Sequence, residues 1–217
     1  MNFSAVTNSW SILLQGLGLT LLLSVLTIIG GTVVGLLVGL ARSSGPVVLR
    51  LLARIYIEVF RGTPLLIQLL FVYFGAYSLG FEWSSTLVAA AVSLTLYEGA
   101  YIAEIFRAGI EAVPAAQREA ARVLGLRPYT VFARVVLPQA MQIARAPLFG
   151  QYIGLVKDTS LAIVVGLAEL MRQGQAIVDR TAQPLPVYLA VAVLYFLICY
   201  PMSLFVRHME RKAPVRA

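Results

Sequence analysis

Apolar residues fill five long windows of this chain, and polar residues are gathered into shorter stretches between them. A helix of about 20 mostly apolar residues crosses the hydrocarbon core of a bilayer. The pattern therefore predicts five transmembrane helices, at about 11–41, 51–79, 85–106, 135–156 and 187–206. We expect an all-α membrane protein whose 217 residues form one transmembrane domain.

The composition indicates a membrane protein rather than a soluble one. Hydrophobic residues make up 59% of the chain, charged residues 12%, and the mean hydropathy is +0.85. The single cysteine, Cys199, excludes a disulfide framework within the chain and offers no metal-ligand spacing. A net charge of +7 is compatible with nucleic-acid binding, but in a membrane protein basic residues record orientation. We therefore predict a lipid bilayer as the surroundings and no nucleic-acid partner.

The basic residues indicate which side of the membrane each connection faces. Twelve of the 17 Lys and Arg residues flank or lie in the connection between the first and second predicted spans, lie between the third and fourth, or lie at the C-terminal end. Lys and Arg accumulate on the cytoplasmic side, so the bias predicts a periplasmic N-terminus and a cytoplasmic C-terminus. The twelve are Arg42, Arg50, Arg54, Arg107, Arg118, Arg122, Arg127, Arg134, Arg207, Arg211, Lys212 and Arg216. The first ten residues hold no Lys or Arg, which argues against a cleaved signal peptide.

The stretch 119–138, EAARVLGLRPYTVFARVVLP, is a polar, helix-prone segment between two apolar windows. Its glutamate and three arginines are too costly to place in hydrocarbon. We therefore predict that residues from about 112 to 134 lie in the cytoplasm as a docking surface for a soluble partner.

The second predicted span contains the polar motif EVFRGTP, residues 58–64. Pro64 has no N–H to donate and crowds the preceding turn, so it predicts a kink. Glu58 and Arg61 are three residues apart on one helical face and are predicted to pair. The pair is either structural, stabilising the kink, or functional, since charges within a span often mark a transport pathway.

The third predicted span carries Glu98 near its middle, without an obvious partner nearby in the sequence. Glu98 is predicted either to line a polar cavity or to pair with another span, and both functional and structural roles stay open. Nearer the cytoplasmic end, Glu104, Arg107 and Glu111 follow the spacing of helical ion pairs, which predicts a structural ladder.

The fourth predicted span contains Arg145 and is followed by the polar cluster Lys157-Asp158-Thr159-Ser160. Arg145 either snorkels to the cytoplasmic interface or points into a cavity as an anion-binding group. In the cluster, Lys157 and Asp158 can pair, and the two hydroxyls can satisfy unwound backbone.

Two further patterns concern packing. Gly31, Gly35 and Gly39 recur every four residues in the first predicted span, and small residues on one face let another helix approach closely. They predict either close packing within the chain or a dimerisation face. The stretch 161–175 predicts a short helix near the outer face.

Motifs for catalysis are absent from the sequence. There is no GxxxxGK[ST] loop to bind ATP phosphates, and no HExxH, GxSxG or cysteine cluster. The single histidine, His208, lies between Arg207 and Arg211 and indicates a solvated tail. We therefore predict a transport subunit rather than an enzyme, with no cofactor in this chain and with energy supplied by a separate subunit.

The polar segment resembles the EAA signature of ABC importer permeases. Glu119-Ala120-Ala121 is followed after three residues by Gly125, and after nine more by Val135-Val136-Leu137-Pro138. Other motifs across the whole chain resemble polar amino-acid importers of the histidine/glutamine permease type. They are EVFRGTP (58–64), AYIAE (100–104), RAG (107–109), KDTSL (157–161) and ELMRQ (169–173).

The resemblance implies a MetI-like core of five spans in a bacterial inner membrane, which dimerises with itself or with a sister permease. It also implies two copies of an ATP-binding subunit, which would hold the ATP and Mg²⁺, and a periplasmic solute-binding protein that delivers a polar amino acid. Closure of the ATPase dimer would switch the spans from inward- to outward-facing.

The resemblance further implies that a coupling helix in the EAA segment docks on the ATPase. Ala120 and Ala121 would allow close approach, and Gly125 would end the helix so that the chain can turn. The coupling residues would be Glu119, Ala120, Ala121, Gly125, Leu137 and Pro138.

Some positions depart from the family pattern. Ala116 replaces a glycine, Gly150 replaces an asparagine, and Gln151 stands where relatives for basic amino acids often carry a carboxylate. With the unusual Arg145 and Glu98, these departures argue against a lysine, arginine or histidine substrate.

Arg145 and Glu98 are predicted to hold the carboxylate and the ammonium of the substrate. The rival interpretation is that they pair with each other or with Glu58. The candidate pathway and gate comprise Glu58, Arg61, Pro64, Glu98, Arg145, Gln151, Tyr152, Lys157, Asp158, Thr159 and Ser160.

Three alternatives to an amino-acid importer stay open. The substrate is an opine or another amino-acid derivative, or the protein is a proton-coupled secondary transporter with Glu98 and Glu58 as carriers, or it is a membrane scaffold. The polar cluster and the charges within the spans argue against a scaffold, which gains nothing from them. Both a homodimer and a heterodimer of permeases agree with the sequence.

Overall fold

The structure, a computed structural model, describes residues 3–83 and 85–211, and within them all regular secondary structure is helical. This confirms the all-α prediction. The helices are α1 (Ser4–Asn8), α2 (Trp10–Ser44), α3 (Val47–Gly62), α4 (Leu65–Ser78), α5 (Thr86–Glu111), α6 (Ala115–Val123), α7 (Pro128–Val131), a π-helix (Phe132–Val136), α8 (Leu137–Asp158), a 3₁₀-helix (Thr159–Val165), α9 (Leu170–Thr181) and α10 (Pro184–Arg211). Lys212 and Arg216, used above to predict the orientation, lie outside the described residues.

The number of membrane-spanning elements agrees with the predicted five. In the described part of the chain, α2, α5, the continuous run Pro128–Val165 and α10 are each long and apolar enough to cross a bilayer. The helices α3 and α4 form a bent pair, which makes a fifth span if it crosses as one unit.

The second predicted span is two helices rather than one kinked helix, because α3 and α4 meet at 113°. Pro64 forces the residue before it, Thr63, into extended backbone (φ −120°, ψ 149°). Gln68 satisfies backbone groups at the break, because its Nε2 donates to the carbonyl oxygens of Phe60 at 2.7 Å and Thr63 at 2.9 Å. Backbone groups released by a helix break inside a membrane need such partners.

Among the described helices, α2 and α5 have the most extensive contact, along a seam where Gly31, Gly35 and Gly39 face α5. A Cβ atom added at Gly35 would lie 2.5 Å from Ile102 Cγ2 and 3.0 Å from the carbonyl oxygen of Gly99. Any larger side chain would push the two helices apart. The predicted packing role of these glycines within the chain is therefore confirmed.

The fourth span is longer than predicted, because the helical run extends from Pro128 to Val165 rather than from 135 to 156. The polar cluster 157–160 continues the helix with tighter geometry instead of unwinding it. Thr159 Oγ1 donates to the carbonyl oxygen of Val156 at 2.7 Å, and Ser160 Oγ donates to that of Lys157 at 2.7 Å.

The predicted short helix at 161–175 begins later than expected. The 3₁₀-helix ends at Gly166, which has a φ of 82°, and α9 begins only at Leu170. The positive φ is a conformation that glycine adopts readily and other residues rarely do, so the chain reverses there before the next helix.

Glu169 caps the start of α9, which lies against α2 because the N–H of Leu170 donates to Thr20 Oγ1 at 3.1 Å. Its carboxylate accepts hydrogen bonds from the backbone N–H groups of Met171 and Arg172, each at 2.8 Å, and from the Tyr195 hydroxyl at 3.1 Å. Burial raises the pKa of the Glu169 carboxyl above its ordinary value. In the motif ELMRQ at 169–173, Glu169 is therefore a buried helix cap.

Candidate functional site

The polar segment folds as a short helix, α6, that turns sharply at its end. Gly125 has a φ of 76°, and its N–H donates to the carbonyl oxygen of Arg122 at 2.9 Å. The N–H of Leu126 donates to the carbonyl oxygen of Ala121 at 3.3 Å. These two bonds close the helix in the manner of a glycine C-cap, which confirms that Gly125 ends the helix and turns the chain.

One side of α6 is fastened to the spans. Arg118 Nη2 donates to the carbonyl oxygens of Ile110 at 2.6 Å and Val113 at 3.1 Å, at the end of α5. Ala121 is only 5% exposed and packs in a cluster with Val113 and Val131. Of the two alanines in the EAA motif, Ala120 alone is exposed and available for close approach to a partner.

The opposite side of this segment presents an apolar surface to the surroundings. Val123 is 87% exposed, Leu124 79% and Tyr129 81%. We call these three residues, with the exposed Glu119 and Ala120, the coupling face, after the role that is proposed for them below. The charges of the segment predicted that it lies outside the membrane, but they did not indicate its three exposed apolar residues. The signal for these was apolar residues on both sides of Gly125 in a stretch too polar for the membrane.

Leu137 and Pro138 do not lie on α6. They form the first turn of α8, where Leu137 is half-buried and Pro138 exposed. The EAA signature therefore spans two elements, joined through α7 and the π-helix.

Glu98 lies fully buried in the seam between α2 and α5, where it contacts another span. Gln151 Nε2 on α8 donates to Glu98 Oε2 at 3.1 Å. The other oxygen, Oε1, is buried and has no hydrogen-bond partner within the described residues. One helical step away, the Tyr152 hydroxyl hydrogen-bonds to Thr32 Oγ1 on α2 at 2.8 Å. The structure thus brings Glu98, Gln151 and Tyr152 together across three helices.

Arg145 stands apart from this group. It is half-buried on α8 and forms no ion pair in the part of the chain that the structure describes, so the rival pairings with Glu98 or Glu58 are absent. Arg145 lies seven residues before Tyr152, which puts the two on the same face of α8.

The charged residues of α3 form ion pairs with partners other than those predicted. Glu58 pairs with Arg54 of its own helix, Nε to Oε1 at 2.7 Å, and Arg61 lies 3.7 Å from Glu104 Oε1 on α5. The predicted Glu58–Arg61 pair is therefore wrong, because the approach of α5 offers Arg61 a carboxylate. The predicted ladder is confirmed, since Arg107 contacts both Glu104, at 2.5 Å, and Glu111.

A polar cavity of about 400 Å³ lies between the ends of α2 and α3 and the adjacent part of α5. We call it the end cavity. Its charged lining consists of Arg42, Glu58, Arg61 and Glu104, with the ring of Tyr101 beside them. The Arg61 guanidinium lies over that ring, 5.4 Å from its centroid. The cavity lies at the same end of the bundle as α6, which follows α5 directly.

Comparison with known proteins establishes the family. Residues 31–214 match the family described as the binding-protein-dependent transport system inner membrane component. The chain belongs to this family. It is a multi-pass protein of the inner membrane, as the apolar helices require.

Two relatives of this transport component cover almost its whole length. The glutamine transport system permease protein GlnP of Escherichia coli (strain K12) is 39% identical over 216 residues, 99% of this chain and 98% of the relative. The L-cystine transport system permease protein TcyB of Bacillus subtilis (strain 168) is 37% identical over 206 residues, 94% of this chain and 87% of the relative.

Solved structures agree with the fold of this transport component. A chain of an amino acid ABC transporter crystallised with histidines superposes with a TM-score of 0.92 at 34% identity, covering 98% of this chain and 99% of the other. A chain of the MetNI methionine ABC transporter superposes with a TM-score of 0.72 at 24% identity, covering 93% and 98%. The second likeness concerns the fold alone.

A second, mostly apolar cavity of about 570 Å³ opens in this transport component between the end of α8, α9 and α10. Lys157 and Ser160 line it together with Tyr188, Tyr195 and Cys199. Its other lining residues are Met171, Val191, Ala192 and Phe196.

The polar cluster 157–160 is divided between two environments. Lys157 and Ser160 face the cavity between α8, α9 and α10, while Thr159 is fully buried and Asp158 is half-buried. Within the described residues Lys157 and Asp158 form no ion pair, although the sequence suggested one. Neighbouring residues on a helix point about 100° apart, which separates their side chains.

Proposed function

We propose that this chain is the transmembrane permease subunit of an ATP-driven ABC importer that moves a polar amino acid from the periplasm to the cytoplasm. One observation carries the proposal: the similarity to the Escherichia coli glutamine permease protein extends over 99% of this chain and 98% of that one. The cystine relative and the amino acid transporter structure support the same substrate class. ATP is hydrolysed by a separate subunit, and this chain is not itself an enzyme.

The assembly that we propose contains two such permease subunits, two ATP-binding subunits and a periplasmic solute-binding protein. The family description, a binding-protein-dependent inner membrane component, supports this set of partners. The bias of basic residues supports a periplasmic N-terminus and a cytoplasmic C-terminus. In that orientation, α6 and the end cavity face the cytoplasm.

The coupling face is the surface on which the ATP-binding subunit docks. Exposed apolar side chains at the centre of a charged surface are the usual anchors of a protein interface. The helix α6 is rigidly attached to the spans, because Arg118 bonds to the end of α5 and Ala121 packs against residues of the neighbouring helices. A displacement of α6 by the ATPase therefore moves α5 and α8 as rigid elements.

The substrate pathway runs along α8. Arg145 binds the carboxylate of the amino acid, supported by its half-buried position without an ion-pair partner in the described chain. Glu98 binds the ammonium through Oε1, which has no partner within the described residues. Because Glu98 is fully buried, α8 must shift relative to α5 before the substrate reaches it.

The remaining pathway residues have two further roles in this proposal. Gln151 and Tyr152 connect α8 to α5 and α2 and release when α8 moves. Glu58, Arg61 and Pro64 form the gate at the cytoplasmic end, and Lys157, Asp158, Thr159 and Ser160 form the outer part of the pathway.

Reconstituted transport tests the proposal. The chain is inserted into proteoliposomes with its ATPase and binding protein, and uptake of L-glutamine is measured with vanadate or with a proton uncoupler at constant ATP. We expect vanadate to abolish uptake and the uncoupler to leave it unchanged. The opposite result would show a proton-coupled secondary transporter with Glu98 as a carrier.

Two variants test the pathway. Arg145→Met is expected to abolish uptake while basal ATPase activity of the complex remains. Glu98→Gln keeps an acceptor for Gln151 and the size of the side chain, so the complex should fold normally but transport several-fold more slowly. Wild-type uptake in Arg145→Met would rule out the carboxylate site, and wild-type uptake in Glu98→Gln would leave Glu98 a purely structural role.

A further inference from the structure

Charged residues follow one side of α3 over almost its whole length. Arg50, Arg54, Glu58 and Arg61 are spaced four, four and three residues apart, which places them in one row along the helix. All four side chains are exposed. A helix that crosses a bilayer avoids charges along its lipid-facing length, because its middle passes through hydrocarbon. A charged row that follows the whole helix therefore indicates that α3 lies along the membrane surface.

A second side of α3 presents apolar side chains to the surroundings. Val48 is 67% exposed, Leu52 56% and Val59 53%. Leu51 and Ile55 belong to the same row, at spacings of three and four residues, and are also exposed. Such a row is costly in water, so its natural surroundings are the hydrocarbon of the bilayer.

The third side of α3 attaches the helix to the bundle. Ala53 and Ile57 are buried, and the Tyr56 hydroxyl donates to the carbonyl oxygen of Leu96 on α5. Successive residues of a helix are about 100° apart, so the three rows are separated by roughly 120° each. One side faces protein, one side is apolar and one side is charged, which is the pattern of a helix placed between hydrocarbon and water.

The direction of α3 agrees with that placement. The angle of 113° between α3 and α4 differs from a right angle by 23° (113° − 90°). The helix α4 contains no charged residue, and the exposed Leu79 and Phe81 continue its apolar surface beyond its end. We therefore take α4 as the part of the bent pair that enters hydrocarbon. A helix nearly perpendicular to it lies close to the plane of the membrane.

We propose that α3 lies in the cytoplasmic interface of the bilayer and binds the phosphate groups of anionic lipids through Arg50 and Arg54. The helix begins at Val47, directly after α2 ends at Ser44, and this is the end of the bundle that leads to α6. In the proposed orientation that end is cytoplasmic. The proposal concerns the surrounding lipid and is independent of what the importer carries.

The two arginines have donors available for a lipid phosphate. Arg50 forms no ion pair within the described residues. Arg54 is 64% exposed and bonds to Glu58 through Nε alone, which leaves its terminal nitrogens free. Guanidinium groups bind phosphate oxygens in paired hydrogen bonds.

The charge of the row selects the kind of lipid. Three arginines and one glutamate give a net charge of +2 (3 − 1). A basic surface next to a membrane is attracted to anionic lipids and not to zwitterionic ones. The occupant is therefore an anionic phospholipid, whose acyl chains cover the apolar row while its phosphate contacts the charged row.

Depth measurements test the placement of α3. The permease–ATPase complex is reconstituted in phosphatidylglycerol nanodiscs, with Cys199→Ser removing the native cysteine and Val48→Cys or Val59→Cys carrying a spin label. These positions are 11 residues apart on one side of α3, so a crossing helix would separate them by about 16 Å in depth. We expect a difference of less than half of this value and high accessibility to oxygen at both labels.

Two results of the depth measurement would overturn the proposal. A difference in depth of more than half of the full separation would show that α3 crosses the bilayer. Labels shielded from oxygen would show that protein covers the apolar row, either a second permease copy or the ATP-binding subunit.

Lipid selectivity tests the role of the two arginines. A fluorophore on Leu51→Cys, next to the charged row, is quenched by brominated phosphatidylglycerol or by brominated phosphatidylcholine in mixed nanodiscs. We expect stronger quenching by the anionic lipid. Each arginine near an anionic surface contributes roughly fivefold to the attraction, so Arg50→Gln with Arg54→Gln should remove most of the preference. Both side chains are exposed, so the thermal midpoint should change little.

The matched control removes two exposed arginines at the opposite end of the bundle. Arg172→Gln with Arg180→Gln, on α9, changes the net charge by the same amount, and α9 begins against Gly16 in the first part of α2. The preference for phosphatidylglycerol should persist in this control.

Salt provides a second readout without altering the arginines. Raising the ionic strength screens exposed charges, so the preference for phosphatidylglycerol should fall. Equal quenching by the two lipids, a preference that survives loss of both arginines, or one that salt does not change would each overturn the proposal. None of these measurements involves transport, so absent uptake by the wild-type importer would refute the proposed function and leave this inference standing.

Discussion

At Gly35, in the seam between α2 and α5, an added methyl group would lie 2.5 Å from Ile102, whereas Leu124 on the coupling face of α6 is 79% exposed. The seam consists of small residues because two helices must touch in surroundings where lipid already solvates apolar side chains. On the coupling face, large apolar side chains are exposed although the segment around them is charged. Close packing stabilises the fold in the first region, and in the second we propose that the exposed apolar surface docks a partner.

The largest effect is expected from placing a charge in the coupling face. Leu124→Asp should lower affinity for the ATP-binding subunit by at least about 30-fold, the effect of losing an interface anchor worth about 2 kcal/mol, and should abolish uptake. The thermal midpoint of the permease alone should not change, because the Leu124 side chain is 79% exposed. Co-purification of the two subunits, together with thermal unfolding in detergent, measures both quantities.

The same change on the inner side of this segment is the matched control. Val131, on α7, is 4% exposed, so Val131→Asp should prevent folding of the segment rather than docking alone. If Leu124→Asp unfolded the permease as Val131→Asp does, the coupling face would be part of the core and not a docking surface.

The next largest effect concerns the seam. Gly35→Ala should destabilise the folded permease by about 1–3 kcal/mol, the usual cost of overpacking, because the new methyl group meets Ile102 Cγ2 and Cβ within 2.6 Å. Gly18→Ala, in the same helix, meets nothing within 4 Å and should leave stability unchanged or raise it. Thermal midpoints of the two variants in one detergent give the comparison, and equal midpoints would contradict the tight seam.

A smaller and local effect is expected at the end of α6. Gly125 has a φ of 76°, a conformation that costs other residues about 1–2 kcal/mol. Gly125→Ala should increase hydrogen exchange in α6 and reduce ATPase-coupled uptake, while the spans keep their thermal midpoint. Gly150→Ala, which has open space and no positive φ, is the control. Unchanged exchange in α6 would show that the turn tolerates a side chain.

The smallest effect is a pH dependence of stability that arises from Glu169, at the start of α9. Burial raises the pKa of Glu169, so the folded protein holds this proton more tightly than the unfolded chain. The stabilisation is complete below the ordinary pKa of a glutamate and is lost as the pH rises through the raised value. In Glu169→Gln, the thermal midpoint should depend less on pH between the ordinary and the raised pKa of the glutamate. Identical pH profiles of the thermal midpoint in the wild type and the variant would exclude Glu169 as the cause.

Helix positions were predictable because each depends on local sequence. Long apolar windows predict helices in lipid, because backbone groups there can form hydrogen bonds only within the chain. Gly125 predicted a turn, because glycine adopts conformations that other residues rarely do. A kink at Pro64 was predictable, but the angle of 113° between α3 and α4 was not. The bend depends on what α3 and α4 pack against, and Gln68 stabilises it from four residues further on.

Partners of charged residues were harder to predict, because they are chosen across helices. Spacing correctly predicted the ladder of Glu104, Arg107 and Glu111, whose members share one helix. It failed for Arg61, whose carboxylate partner is Glu104 on α5. The hydrogen bond between Glu98 and Gln151 joins residues 53 positions apart, a distance over which sequence spacing carries no information about contact.

By itself the sequence determined the membrane class, the approximate spans, the position of the polar segment and, through the spacing of its EAA signature, the family. All of these follow from composition and from short-range sequence patterns, because local hydrophobicity and backbone geometry directly determine such features. Only the tertiary structure decided which face of α6 is fastened and which is free, and that Arg42 and Glu104 meet at one cavity. Those features depend on how helices distant in sequence pack together, because packing alone sets which side chains are buried and which charges lie within reach of each other.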